Sequence, residues 1–331
     1  AWWLAQWQAF GLSETLFSKS PMVRWPRAGQ HRAMETSNDR ALDAAAIAHL
    51  RQWVGRSETL TDDIAAAPLR GLSATLDRGD APPEHGDAVP PLGHWLYFLP
   101  QAPQSQIGPD GHPKRGGFLP PVPLPRRMWA GGRLVWEPGN PLRVGDAARK
   151  VSRIESVTHK TGRSGEMIFV LVRHEVHNER GLCLTEEHDI VYRAAAQPGE
   201  KAAAPTPAET GATWRREIVP DDVLLFRYSA LTFNGHRIHY DRQYVTEVEG
   251  YPGLIVHGPL IATLLTDLVR RHESHAVMRR FAFRALRPTF DLNPFFVNGE
   301  PSADGRQVKL WAHDHEGWLT MQAEAELVVV L

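Results

Sequence analysis

Two stretches lie close together in the chain: Phe226-Arg-Tyr-Ser-Ala-Leu-Thr-Phe-Asn-Gly-His-Arg-Ile-His-Tyr-Asp241, then Leu254-Ile-Val-His-Gly-Pro-Leu-Ile-Ala262. The second decides the fold. From Leu260 the apolar residues Leu260, Ile261, Leu264, Leu265, Leu268 and Val269 recur as two adjacent ridges, which predicts a helix buried on a broad face. Pro259 suits the first helical position, where an N–H would be unpaired anyway. Gly258 before it lets a ligand approach the backbone closely, and Arg270 and Arg271 close the helix where positive charge complements the dipole.

Beyond this helix the pattern changes period. Met321, Ala323, Ala325, Leu327 and Val329 alternate with Gln322, Glu324 and Glu326, a half-buried strand. Residues 306–312 and 278–290 predict further strands, with turn signals at Asn293-Pro294, Asn298-Gly299 and Asp304-Gly305. One long apolar helix followed by an antiparallel meander predicts a sheet wrapped around a central helix, an α+β chain. Upstream, 151–159, 167–176 and 182–193 also read as strands, the last with an acidic middle, while 43–54 and 62–76 read as amphipathic helices. Residues 101–125 are too rich in Pro and Gly to be regular throughout and predict an irregular flap. The run from Gln197 to Gly211 has the composition of a flexible linker.

The chemistry concentrates in the loop before the helix. A histidine there, followed by a helix whose first turn offers bare N–H groups, suits reaction beside a thioester carbonyl: a base works at one carbon while amide dipoles hold charge on the carbonyl oxygen. His239, with an ordinary pKa near 6.5, suits proton exchange with water. Asn234 can hold a water or orient the imidazole through its amide, or simply cap the loop. His236 and His239 invite a metal reading, but no third ligand of convincing spacing accompanies them, so no metal is expected. Asp241 reads as a helix N-cap, and Tyr228 either lines a pocket or belongs to the core. Arg126 and Arg127, beside Met128-Trp129-Ala130-Gly131-Gly132, can grip a carboxylate or a phosphate, or remain a solvated basic pair. Lys114 and Arg115 are weaker candidates for phosphates.

These residues resemble a known family. Phe233-Asn-Gly-His-Arg-Ile-His239 occupies the frame Gly-Asp-x-Asn-Pro-Ile-His of MaoC-like hydratases and dehydratases, enzymes of the hot dog fold. The wording of both stretches is closer to the branch of mesaconyl-C4-CoA (3-methylfumaryl-CoA) hydratases and type 2 3-hydroxyacyl-thioester dehydratases. Gly93-His-Trp-Leu-Tyr-Phe-Leu-Pro100 and the run Gly116–Gly132 resemble that branch's first half. The resemblance implies a double hot dog: an extension over 1–35, a non-catalytic half over 36–195, a linker over 196–214 and a catalytic half over 215–331. It implies hydration of an acyl-CoA thioester, most simply mesaconyl-C4-CoA, with His239 as proton carrier and the Gly258 N–H as oxyanion donor. Asn234 stands where the family has Asp, and His236 where it has Asn; that departure keeps alive a silent acyl-CoA-binding module beside the alternative of a fatty-acyl 3-hydroxyacyl-thioester dehydratase. Arg126, Arg127, Tyr228, His236 and His257 are expected at the substrate. No cofactor is implied, because CoA is part of the substrate.

Composition narrows the partners. At 331 residues the chain has room for two domains. A formal charge of −1 gives no global basic field for nucleic acid. The single cysteine, Cys183, excludes an internal disulfide and reads as a core residue. No apolar run reaches membrane-spanning length, and the tryptophan-rich start lacks a basic lead and a cleavage site. A cytoplasmic location is expected, with a homodimer left open. No internal repeat is visible at the level of identities.

Overall fold

The structure, a computed structural model, describes residues 42–162, 165–194 and 204–329. Its strands are β1 (Ser57–Asp63), β2 (Arg126–Trp136), β3 (Ala147–Gly162), β4 (Gly165–Asn178), β5 (Gly181–Arg193), β6 (Trp214–Ile218), β7 (Ala276–Ala285), β8 (Phe295–Pro301), β9 (Gln307–His313) and β10 (Leu319–Val329). They form one antiparallel sheet in the order β1-β3-β4-β5-β2-β7-β10-β9-β8-β6. Counted from its own first strand, each half has the same arrangement: β1-β3-β4-β5-β2 on one side of the seam, β6-β8-β9-β10-β7 on the other. Helices occupy the same place in both, between the first and second strands: α2 (Ala66–Thr75) in one half, α3 (Asp222–Leu231), α4 (Arg242–Glu247) and α5 (Gly258–His272) in the other. The short α1 (Ala44–Arg51) precedes β1. This is a double hot dog, its repeat written in topology where identities show none.

The halves join where β2 pairs with β7, Gly131 opposite Arg284 and Gly132 opposite Phe283. A Cβ on Gly131 would lie 2.5 Å from the Phe283 carbonyl oxygen, and one on Gly132 3.0 Å from the Phe283 ring. The adjacent glycines are therefore what lets the two strands meet. The predicted central helix is α5: Leu260, Ile261, Leu264, Leu265, Leu268 and Val269 are all buried, in one core with residues of β7 to β10. Asp267, buried on the same helix, is neutralised by Arg216 at 3.0 Å, Arg271 at 2.7 Å and Arg78.

Several expectations shift. Residues 62–76 are not one helix: Leu60 and Asp62 point inward at period two on β1, Asp62 accepts the Phe98 N–H at 2.7 Å, and the helix starts only at Ala66. Asn298-Gly299 is no turn but part of β8, since the glycine leaves room for the Trp214 ring, 2.7 Å from where its Cβ would stand. The strand predicted over 278–290 ends at Ala285. The acidic middle of 182–193 is strand after all, because Glu186 bonds His94 and Trp95 while Arg133 pairs with Glu187 and Asp189. The expected extension over 1–35 lies outside the described residues, as do 196–203 of the linker. The rest of the linker is docked: the Thr206 carbonyl accepts the Leu319 N–H at 2.8 Å, and the Ala208 N–H reaches Gly317 at 2.9 Å. Among the described residues, no helix is long and apolar enough to cross a membrane.

Candidate active site

Two backbone segments are joined at the start of α5. The Ile255 N–H donates to Ile238 O at 3.0 Å, and His239 Nδ1 donates to Ile255 O at 2.7 Å. The second bond fixes the tautomer and leaves His239 Nε2 bare, a proton acceptor. Burial pushes the His239 pKa down to about 4, against the pull of the Ile255 carbonyl and with help from His112. At neutral pH it is a free base. Its ring stacks on His257, centroids 3.8 Å apart, and so lies beside the residue that precedes Gly258.

At Gly258 the helix offers an N–H that no intrahelical carbonyl can reach. Pro259 has none, and the Ile261 N–H is closed by His257 O at 3.1 Å. A Cβ on Gly258 would meet nothing within 4 Å, so no neighbouring atom demands glycine here; the space it leaves is open to a ligand. An anionic oxygen fits such a site.

Tyr228 and His257 are expected at the substrate, but both are buried behind the His239 ring. His257 is fully buried, its Nε2 2.8 Å from Ser229 Oγ; Tyr228 is buried edge-on against it, with its hydroxyl 3.4 Å from Thr263 Oγ1. They brace His239 from behind. Asn234 Oδ1 accepts the His236 N–H at 3.0 Å, a cap on the loop just after Phe233, whose φ is 47°. Asp241 does cap α4, accepting the Tyr244 N–H at 2.9 Å.

The flap supplies residues that sequence reasoning missed. Arg237 donates its N–H to Asp110 O at 2.9 Å and Nη1 to Pro109 O at 3.0 Å. Gly111, at φ 89°, approaches so closely that a Cβ would stand 1.7 Å from Gly235 O. This docking brings His112 against His236, centroids 3.9 Å apart, while His236 meets His239 edge-on at 5.4 Å. Asp110 Oδ1 accepts the His112 N–H at 3.0 Å, and Oδ2 lies 3.1 Å from its Nδ1. An Asp-Gly-His inside a Pro-rich loop was the available signal, but nothing local ties it to a motif more than a hundred residues away. Asp110, His112 and His236 are also the one group among the described residues whose donor atoms converge within 4.8 Å. Both Asp110 oxygens already accept from His112, which fits a hydrogen-bonded pair better than a shared ion.

The two arginines part company. Arg126 reaches Glu249 O at 3.3 Å and lies over the Tyr251 ring. Arg127 lies near enough to Tyr192 to favour its charged form, and to His112, His188 and His236 to disfavour a proton on each. Among the described residues Arg127 makes no ion pair. Arg115 is bound to the carbonyls of Val122, Leu124 and Pro125, and Lys114 to that of Ser105, so both tie the flap to itself.

Sheet, helix and histidine loop together define a MaoC-like double hot dog protein. The chain belongs to the hydroxyacyl-thioester dehydratase type 2 family, whose model matches residues 91–291. It is 48% identical to a mesaconyl-C4-CoA hydratase of Chloroflexus aurantiacus, over 83% of this chain and 96% of that one. It is 27% identical to the mitochondrial hydroxyacyl-thioester dehydratase type 2 of Schizosaccharomyces pombe, over 72% and 88%. A solved MaoC-like dehydratase from Phytophthora capsici superposes with a TM-score of 0.61 at 12% identity, covering 85% of this chain and 97% of that one.

Proposed function

We propose that this chain is a hydro-lyase, a carbon–oxygen lyase that adds water across the double bond of an α,β-unsaturated acyl-CoA whose acyl group carries a free carboxylate, mesaconyl-C4-CoA. His239 Nε2 takes a proton from water as the O–C bond forms at the β carbon. The π pair moves toward the thioester oxygen, where the Gly258 N–H and the dipole of α5 hold the charge. The imidazolium then gives its proton to the α carbon and returns to the neutral form, so the step balances with residues of this chain alone. His236 lines the space between His239 and the flap.

The observation that carries the substrate choice is Arg127. A half-buried guanidinium with no carboxylate partner among the described residues, near neutral imidazoles, suits an anion. In mesaconyl-C4-CoA the free carboxylate sits on the β carbon, the atom that water attacks, so Arg127 would hold the acyl group at its reacting end. The Chloroflexus relative supports the same substrate. Arg126, fixed on Glu249 and Tyr251, is assigned no part in it.

The test compares mesaconyl-C4-CoA with crotonyl-CoA, which lacks the carboxylate. Arg127→Met is expected to lower kcat/KM for the first at least about a hundredfold and to change the second only a fewfold, the scale of a lost charge-assisted pair in a closed site. Arg126→Met should leave the ratio between the two substrates as it is. An equal loss on both substrates for Arg127→Met, with a wild type that prefers crotonyl-CoA, would move the assignment to a 3-hydroxyacyl-thioester dehydratase of fatty acyl chains.

A further inference from the structure

Water has two O–H bonds, and the reaction above gives only one of them an acceptor. The flap places a second imidazole nearby. His112 Nδ1 is held by Asp110 as His239 Nδ1 is held by Ile255, so each ring turns a bare Nε2 away from its anchor. His236 packs against both, and His112 and His239 are close enough for a charge on one to act on the other. Glycine at 111 and the two bonds from Arg237 make this placement a built feature of the fold. Burial first, then the nearby Arg127 and Arg115, disfavours a proton on His112 against the pull of Asp110, which leaves its nitrogen an acceptor.

We propose that His112, carried from the N-terminal half by the flap and oriented by Asp110, accepts the second O–H of the attacking water and so aims an oxygen lone pair at the substrate's β carbon. The inference rests on the hydratase reading. His112 touches the reactant water and is a catalytic residue; Asp110 acts through it and is a positioning residue. The arrangement also joins specificity to chemistry, because an acyl carboxylate on Arg127 brings the β carbon next to this same ring. Every proton is accounted for: His239 takes one from water and returns it to the α carbon, while the bond held by His112 stays with the new hydroxyl.

The experiment uses the full chain, with folding followed by circular dichroism. His112→Ala is expected to lower kcat at least about a hundredfold on mesaconyl-C4-CoA and crotonyl-CoA alike, with KM little changed, the scale of a lost acid–base partner. Added imidazole should restore at least about tenfold of that loss, which replacement of a merely structural side chain would not allow. Asp110→Asn keeps the acceptor for the His112 N–H but can donate to Nδ1, driving the ring proton onto Nε2; kcat should fall about tenfold with unchanged thermal stability. A folded His112→Ala protein with kcat within about twofold of wild type sinks the proposal, as does loss without imidazole rescue beside a normal Asp110→Asn. If His112→Ala fails to fold, Asp110→Asn decides by the same criterion. A wild type that hydrates neither substrate ends the hydratase reading and this proposal with it, whereas an active wild type beside an unaffected variant ends this proposal alone.

Discussion

His239 shows how burial turns an ordinary residue into a poised one. Its position was legible because the motif and the helix that follows are contiguous in the chain; its state was not, since that depends on Ile255, His257 and His112 closing around it. In the proposed mechanism the working form is the neutral one, so activity is expected to be lost as pH falls through the pKa in the folded protein. With that pKa near 4, kcat/KM should stay flat from about pH 8 to 6 and decline only below about pH 5, instead of bending near the ordinary histidine value of about 6.5. His239→Ala should cost at least about a hundredfold at neutral pH while preserving the fold. A limb at pH 6.5 would show the imidazole to be solvated in the working enzyme. Asn234 teaches the complementary lesson. Its side chain type was open to two uses, and the loop's own N–H, 3.0 Å away at His236, shows the capping one.

Among the elements, α5 and the C-terminal strands were readable from periodicity, because each buries a face that its own residues define. The seam was not. Gly131-Gly132 could have been a turn; it became the meeting line of β2 and β7 because the partner strand needs the space where a Cβ would stand. Gly131→Val should therefore destabilise the protein by about 1–3 kcal/mol, the usual range for overpacking against backbone that cannot move. Urea denaturation measures this, and an unchanged midpoint would mean that the strands can separate at no cost. The flap is the opposite case: its irregularity was plain from its Pro and Gly content, but its docking on Gly235 and Arg237 joins residues far apart in the chain. No local pattern encodes that contact.

For the whole molecule, the buried imidazoles set an acid limit. His257 is held well below its ordinary pKa by burial, then by His239 and His236, and His239 titrates near 4. Unfolded histidines bind protons near pH 6.5, so below that pH the unfolded chain takes up protons that the folded one refuses. The stability these groups contribute is complete above about 6.5 and is lost as pH falls below it, by about 1.4 kcal/mol per pH unit for each imidazole still neutral in the folded protein. Denaturation midpoints measured from pH 7 to 5 should fall steadily, and a flat profile would place these rings in water. The sequence by itself determined what is local: the apolar face of α5, the alternation of the C-terminal strands, the His239 loop and the glycine at the helix start. Tertiary structure alone decided the repeated strand order, the placement of Arg127 near the flap and motif histidines while Arg126 reaches Glu249, and the meeting of His112 with His236. The physical reason is separation along the chain. Periodicity and capping act over a few residues, whereas these contacts exist only once two halves with no visible identity have folded onto a common sheet.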